Sequence, residues 1–180
     1  MSATADHKWI YEPSSDDTAR FVLGTVGENP LICVGVNPST AKPGEPDRTV
    51  TRVANFAATN GYDSWIMLNV YPLRATNPDD LPRVADKQLM AANVDRIRAL
   101  IDDRPLTLLA AWGNLITSRT YLRDTLDEIQ QVTAAAGCSW VTLGEPTKMN
   151  HPRHPSRRAA NTPLLPFDID RYRRETLRTA

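Results

Sequence analysis

The chain has 180 residues, which fits one domain and suffices for a large hydrophobic core. Its 21 basic and 21 acidic side chains cancel, so composition gives no general attraction to nucleic acid or membranes. No segment approaches the roughly 20 apolar residues of a membrane span, and residues 1–17 lack the apolar core of a signal peptide. We therefore expect a cytoplasmic protein without membrane contact.

Residues 1–19 are polar and are predicted to form a loose N-terminal arm with one short strand at 8–11, and an edge strand is predicted at 20–26. Mostly apolar runs without alternation then predict four buried strands, at residues 31–36, 65–70, 106–111 and 138–143. Helical periodicity predicts helices at about 48–59, 87–102, 115–135 and 168–178. Because strands and helices alternate, we expect residues 20–180 to form a single three-layer α/β/α domain around a mainly parallel, four-stranded sheet.

The loop after the first buried strand carries the sequence Gly-Val-Asn-Pro-Ser-Thr at residues 35–40. Pro38 fixes the backbone and takes it out of the sheet. Asn37 can both donate and accept hydrogen bonds, and Ser39 and Thr40 add hydroxyl groups. Ligands of open parallel sheets bind at this edge, so the loop predicts a site for water or a polar ligand. The alternative is a turn in which Asn37 only satisfies backbone groups.

Polar or small residues also end the next two buried strands. Asn69 ends the second one, where a buried amide costs roughly 1–3 kcal/mol unless it is hydrogen-bonded. Its edge matches that of a pyrimidine, and the alternative is a loop cap. Trp112 and Gly113 end the third strand. The glycine allows a ligand or another backbone to approach closely, whereas a core position is the alternative for the tryptophan.

Asp47 precedes the helix predicted at 48–59 and is a carboxylate close in sequence to the Asn37 loop. It is therefore a candidate base, and the helix N-terminus beside it can attract an anion. The alternative is a plain N-cap, a role that aspartate fills often.

The fourth buried strand leads into a basic loop at residues 151–158, which contains His154-Pro155-Ser156. His154 can donate to a developing anion or exchange a proton near neutrality. No Asp, Glu or Cys lies at a useful spacing from His151 and His154, so no metal is predicted. The sequence has no P-loop and no dinucleotide motif, and we expect no cofactor. Three arginines of this loop suit a phosphate group: Arg153, Arg157 and Arg158.

These motifs resemble a bacterial and phage family of uncharacterised proteins, known as domain of unknown function 1643. The resemblance covers most of residues 20–167 and implies no established reaction. The segments that carry it are residues 36–41, 47–52, 69–78, 111–113, 147–148 and 152–155.

The order of the motifs is also similar to the uracil-DNA glycosylase superfamily. In its mismatch-specific branch, a Gly-x-Asn-Pro loop supplies the asparagine that positions the attacking water, and residues 35–38 match that loop. In its classical branch, a strand ending Leu-Asn reads the flipped base, as residues 68–69 would. A later strand of those glycosylases ends in Leu-Trp-Gly, and residues 111–113, Ala-Trp-Gly, are similar to it. Residues 154–156 match a His-Pro-Ser loop of the same glycosylases, whose histidine contacts the base carbonyl.

This resemblance implies a glycosylase-like fold and a role for each motif. Asn37 would position water with help from Asp47, Asn69 would read the base edge, and His154 would stabilise charge on the departing base. Tyr71 is the nearest candidate for stacking on the base. The other residues implied to contact substrate are Pro38, Ser39, Thr40, Trp112, Gly113 and Ser156.

Arg157 and Arg158 follow the His-Pro-Ser motif, where the glycosylases usually carry an apolar wedge. This difference favours a single-stranded or free nucleotide ligand over insertion into a duplex. We therefore expect the chain to bind a nucleobase-containing ligand or nucleic acid and to hydrolyse an N-glycosidic bond. The alternatives are a non-catalytic nucleotide or nucleic-acid binding module and another hydrolase or transferase that uses the same cleft.

Overall fold

The computed structural model describes residues 8–178. The strands are β1 (Trp9–Pro13), β2 (Arg20–Thr25), β3 (Pro30–Gly35), β4 (Ser64–Asn69), β5 (Thr107–Ala110), β6 (Ser139–Leu143) and β7 (Leu164–Pro166). They form one seven-stranded sheet in the order β1-β2-β4-β3-β5-β6-β7. The four strands from β3 to β6 are parallel, while β1, β2 and β7 pair antiparallel with their neighbours.

The α-helices are α1 (Arg48–Thr59), α2 (Lys87–Ile101), α3 (Thr120–Ala135) and the short α4 (Ile169–Tyr172). A 3-10 turn at Gly113–Thr117 precedes α3, and a π-helical segment at Arg173–Leu177 continues α4. Within residues 8–178, no helix combines the length and apolar character needed to cross a membrane.

The two faces of the sheet are covered by different helices. Leu31 and Cys33 of β3 pack in one cluster with the apolar face of α1. Ile32 and Val34 point to the opposite face, into a larger cluster that includes residues of α2, α3 and α4. This alternation follows from the two-residue period of a strand. Both faces of β3 are therefore buried, which explains its continuous apolar run and confirms the predicted mixed α/β class.

The predicted count of four strands is wrong, although the four predicted parallel strands are all present. The additional strands pair antiparallel at the two sides of the parallel core, and β7 has three residues only, too few for a periodic pattern. Within the predicted arm at 1–19, β1 pairs with β2, so this part belongs to the sheet. Residues 1–7 of that arm lie outside the described residues. Because β1 covers it, β2 is an internal strand rather than an edge strand.

The strand order creates a crevice beside β3. The chain passes from β3 to β4 on one side and then returns to β5 on the other side. The connections that leave β3 and β5 therefore diverge, and such a reversal point is where open α/β sheets bind their ligands.

Candidate functional site

A cavity of about 550 Å³ lies at this crevice, between the carboxyl ends of the central parallel strands and the start of α1. Its volume falls within the usual range for small-molecule sites. The predicted site residues that line it are Asn37, Pro38, Ser39, Asp47, Asn69, Trp112, Gly113, Arg153, His154, Ser156 and Arg157.

The side-chain amide of Asn37 is fixed by the neighbouring loop. Its Nδ2 donates to the carbonyl oxygens of Pro38 at 3.1 Å and Ala75 at 2.8 Å. The N–H of Ala75 donates in return to the Pro38 carbonyl at 3.0 Å. Both amide hydrogens are thus engaged, and within residues 8–178 no hydrogen bond reaches Oδ1. This oxygen remains able to accept from a water or a ligand.

Arg74, which sequence reasoning did not assign to the site, stabilises the loop that carries Asn37. Its guanidinium donates to the Ser39 carbonyl at 2.7 Å and to the Tyr11 hydroxyl at 2.8 Å. It also pairs with the Asp17 carboxylate at 3.0 Å. One side chain therefore ties the Asn37 loop to β1 and to the segment before β2.

The Asn69 side chain lies at the end of β4, and its hydrogen-bonding groups are not all paired. It is 3% exposed, and its Oδ1 is buried with no hydrogen-bond partner in the described part of the chain. Asn93 of α2 donates to the carbonyl oxygens of Asn69 at 2.8 Å and Val70 at 3.2 Å, which anchors the strand end. A Cβ at Gly35 would lie 3.1 Å from the Asn69 Nδ2, so the glycine makes room for this amide. Buried polar atoms usually have partners, and an unpaired one at a cavity points to a ligand or water.

His154 presents a single defined donor. Its Nδ1 accepts the backbone N–H of Ser156 at 3.3 Å and lies 2.7 Å from the Ser156 Oγ. Burial lowers the pKa of His154 below its ordinary value, so the imidazole is neutral at pH 7. Because Nδ1 accepts, the proton of this neutral ring is on Nε2. Ser156 thus positions the histidine, and the Nε2–H is the group left for a ligand.

Tethers at two points hold the loop that carries His154. The N–H of Gly113 donates to the Pro152 carbonyl at 2.9 Å, and Gly113 has a φ of +59°, which favours glycine. The guanidinium of Arg52 in α1 donates to the carbonyl of Arg158. The loop is therefore linked both to the end of β5 and to α1.

The three arginines of this loop do not act together. Arg153 and Arg157 line the cavity, and Arg153 also donates to the Glu145 carbonyl at 2.9 Å. Arg158 does not line it, because its guanidinium packs against Gly144 instead. The predicted phosphate contacts are therefore reduced to the first two arginines.

Tyr71 is not placed to stack on a ligand. Its side chain is 1% exposed and lies in the cluster on the α2 side of the sheet. The ring packs against Tyr121 with 5.0 Å between centroids, and its hydroxyl accepts the N–H of Asp86 at 3.1 Å. Two residues after Asn69, the strand has already turned, which the sequence did not reveal. Thr40 is exposed and also lies outside the cavity lining.

Two predicted residues line the cavity while serving the fold. Trp112 is 1% exposed, and its indole Nε1 donates to the Tyr172 hydroxyl at 2.9 Å, as expected of a core tryptophan. Asp47 caps α1 through its Oδ1, which accepts the Val50 N–H at 2.8 Å. Within residues 8–178 no hydrogen bond reaches the Asp47 Oδ2, so one carboxylate oxygen remains available.

Sequence reasoning missed Arg20, the first residue of β2. It lines the cavity, is 2% exposed and forms no ion pair with any described residue. Burial lowers its pKa to about 10, which leaves it cationic at neutral pH. The only sequence signal is a charged residue directly before an apolar strand. With Arg153 and Arg157 at the same cavity and Asp47 as the opposing charge, the lining is cationic.

The cavity offers no ionised thiol, and the described residues hold no metal cluster. Burial raises the pKa of the Cys33 thiol to about 12, so this thiol is neutral at the cavity wall. Across residues 8–178, no three His, Cys, Asp or Glu side chains are grouped closely enough to hold a metal ion. The groups available for chemistry are therefore hydroxyls such as that of Ser39, amides, an imidazole, a carboxylate and guanidiniums.

The family model for proteins of unknown function DUF1643 matches residues 20–156, and the chain belongs to that family. Comparison with curated proteins and with solved structures gave no match. The matched span includes every cavity-lining residue described above except Arg157.

Proposed function

We propose that this member of the DUF1643 family binds a nucleobase-bearing ligand in the crevice and hydrolyses its N-glycosidic bond. The observation that carries the proposal is the convergence of Asn37, Asn69 and His154 on one cavity. They come from three separate loops or strand ends, and each presents an unengaged donor or acceptor atom. The motif order that resembles uracil-DNA glycosylases supports the same function, and a glycosylase-like fold is part of the proposal.

The proposed reaction has two parts, the attack of water and the departure of the base. The Asn37 Oδ1 accepts a hydrogen bond from water and directs its oxygen toward the sugar C1′. As the new C–O bond forms, the C1′–N bond breaks and its electron pair leaves with the base. The free oxygen of Asp47 takes the proton that water loses. Neutral His154 donates through Nε2–H to the carbonyl oxygen of the base, where negative charge develops.

Binding in this proposal uses the rest of the lining. The Asn69 amide pairs with the base edge, which satisfies its buried Oδ1. Arg153 and Arg157 contact a phosphate near the loop that carries His154. Extruding a base from a duplex costs a few kcal/mol, and two arginines give limited compensation. We therefore propose a single strand or a free nucleotide as the ligand.

The substitution His154→Asn tests the chemistry while preserving the local fold. The asparagine oxygen can replace Nδ1 as the acceptor of the Ser156 N–H, since asparagine is a good N-cap, but no donor remains at the position of Nε2. We expect base release to fall by about 10²–10³-fold, the usual effect of removing one charge-stabilising donor, with binding largely retained. Released base would be measured chromatographically with uracil-containing single strands, duplexes, nucleosides and nucleotides. Ser156→Ala, which keeps the backbone donor, is the matched control and should have a much smaller effect.

The non-catalytic alternative gives a different result. A binding module would bind one of these ligands without releasing base from any of them, and His154→Asn would then have no turnover to reduce. Release of a product other than free base would assign the cleft to another hydrolase or transferase. Absence of both binding and base release would refute the proposal.

A further inference from the structure

We infer that Arg20 selects for oxo-bases, meaning ligands such as uracil and hypoxanthine whose ring carbonyl oxygen faces the inner end of the cavity. This inference rests on the proposed function, because it concerns which base the same cavity accepts. It starts from a buried cation that no carboxylate of the described residues pairs with.

The free donors of Arg20 lie on one edge of its guanidinium. Nη1 donates to the Ala41 carbonyl at 3.1 Å, which fixes the plane of the group. Nε is buried without a hydrogen-bond partner, and no hydrogen bond within residues 8–178 uses Nη2. Nε–H and Nη2–H are adjacent and point the same way, so this edge matches a pair of acceptor atoms.

The surroundings of Arg20 favour a base over a phosphate. Cys33, Val50 and Met67 line the same cavity and are buried apolar side chains, and the Cys33 thiol is neutral. A phosphate dianion would need donors on several sides, whereas here one guanidinium edge lies beside these apolar side chains. The Asp47 carboxylate, which is close enough to raise the pKa of Arg20, adds a negative charge that opposes a phosphate. A heterocycle can place its carbonyl at the guanidinium and its ring against the apolar side chains.

The chemistry of the donor edge sets the preference. A guanidinium only donates, so it binds a carbonyl oxygen but opposes an exocyclic amino group at the same ring position. Uracil and cytosine differ in this way at C4, and hypoxanthine and adenine differ in this way at C6. A site built to hydrogen-bond one substituent rejects the other because its own buried donors are then left unpaired.

The test compares nucleoside monophosphates in these matched pairs. Affinities of uridine, cytidine, inosine and adenosine 5′-monophosphates would be measured calorimetrically with the wild-type chain and with Arg20→Gln. We expect the wild-type chain to prefer each oxo member by about tenfold or more, and Arg20→Gln, whose amide can either donate to a carbonyl or accept from an amino group, to abolish most of that preference. Arg157→Gln is the matched control, since it should weaken all four ligands similarly and leave the preference unchanged.

Each outcome has a defined meaning. Equal affinity for oxo and amino partners, or a preference that survives Arg20→Gln with the variant folded by circular dichroism, overturns the role of Arg20 and leaves the proposed function standing. Competition by inorganic phosphate that is lost in Arg20→Gln and retained in Arg157→Gln makes the inner end a phosphate site and also overturns it. If none of the four ligands binds, the role of Arg20 falls, and base release from oligomers then decides the proposed function separately.

Discussion

Two polar regions, the network of Trp112, Tyr172 and His151 and the cavity at the carboxyl ends of the strands, differ in how completely their hydrogen bonds are made. In the first, Trp112 donates to the Tyr172 hydroxyl, which lies 2.7 Å from the Nδ1 of buried His151. In the second, the cavity, the Asn69 Oδ1 and the Arg20 Nε have no partner in the described chain. We infer that the complete network stabilises the fold, whereas the unpaired atoms of residues that line the cavity can be satisfied by something that binds there.

The contrast is sharpest between two histidines three residues apart. His151 is 1% exposed and is occupied by Tyr172, while His154 lines the cavity with its Nε2–H available. Burial lowers the pKa of both imidazoles. A lowered pKa alone therefore does not separate a structural histidine from a functional one, whereas access to the cavity does.

The largest expected effect on stability comes from the complete network. Trp112→Ala removes a 1%-exposed indole that contacts Trp140, Phe167 and Tyr172, and we expect it to lower the free energy of unfolding by about 3–5 kcal/mol. Urea unfolding followed by circular dichroism measures the change. Trp9→Ala, at a position 37% exposed, is the matched control and should cost much less. Equal losses in the two variants would contradict a special role for the network.

Acid should weaken both regions through their histidines. The pKa values of His151 and His154 lie below the ordinary value of 6.5, so between 6.5 and the lowered values the unfolded chain binds protons that the folded chain does not. Their contribution to stability is therefore complete above about pH 6.5 and is lost as the pH falls through the lowered values. The slope is at most about 1.4 kcal/mol per pH unit for each histidine.

Urea midpoints measured from pH 7.5 to 5.5 test this dependence. His154→Asn should retain only the part of the slope that His151 supplies, because the substituted residue no longer titrates. Stability that stays constant or rises across this range on acidification would show that these imidazoles are not held in the neutral form.

The smallest change in stability should come from the cavity. Asn69→Leu replaces an amide whose Oδ1 is unpaired, so we expect the free energy of unfolding to change by less than about 1 kcal/mol while nucleotide binding is lost. Asn93→Leu is the matched control, since that amide donates to two carbonyl oxygens and its loss should cost about 1–3 kcal/mol. A marked loss of stability in Asn69→Leu, with binding intact, would reverse the distinction between the regions.

Local signals explain which elements the sequence predicted well. The helix predicted at about 48–59 has those bounds in the structure, because Asp47 caps its start and Asn60-Gly61 follows its end. The four parallel strands were found because each is covered on both faces and therefore reads as an apolar run. The short β7 was missed, since its pairing with β6 depends on residues distant in sequence.

The sequence predicted those residues of the candidate site whose position follows from the end of a strand. Asn37 and Asn69 follow or end neighbouring strands, so the sheet brings them together, whereas His154 reaches the cavity on a loop that is tethered to Gly113 and to α1. Tyr71 and Arg158 were misplaced because adjacency in sequence does not determine which way a side chain points. Arg20 was missed because its burial depends on β1, α1 and the segment around residue 41, none of which its own neighbours in sequence reveal.

The outer strand β7 has a consequence for how the sheet meets other chains. It is three residues long, it ends at Pro166, and Pro163 precedes it directly. Proline has no N–H to donate, so the β7 edge of the sheet has too few free backbone groups for another strand to pair with it. Growth of the sheet by edge-to-edge stacking of copies is thereby blocked on the β7 side.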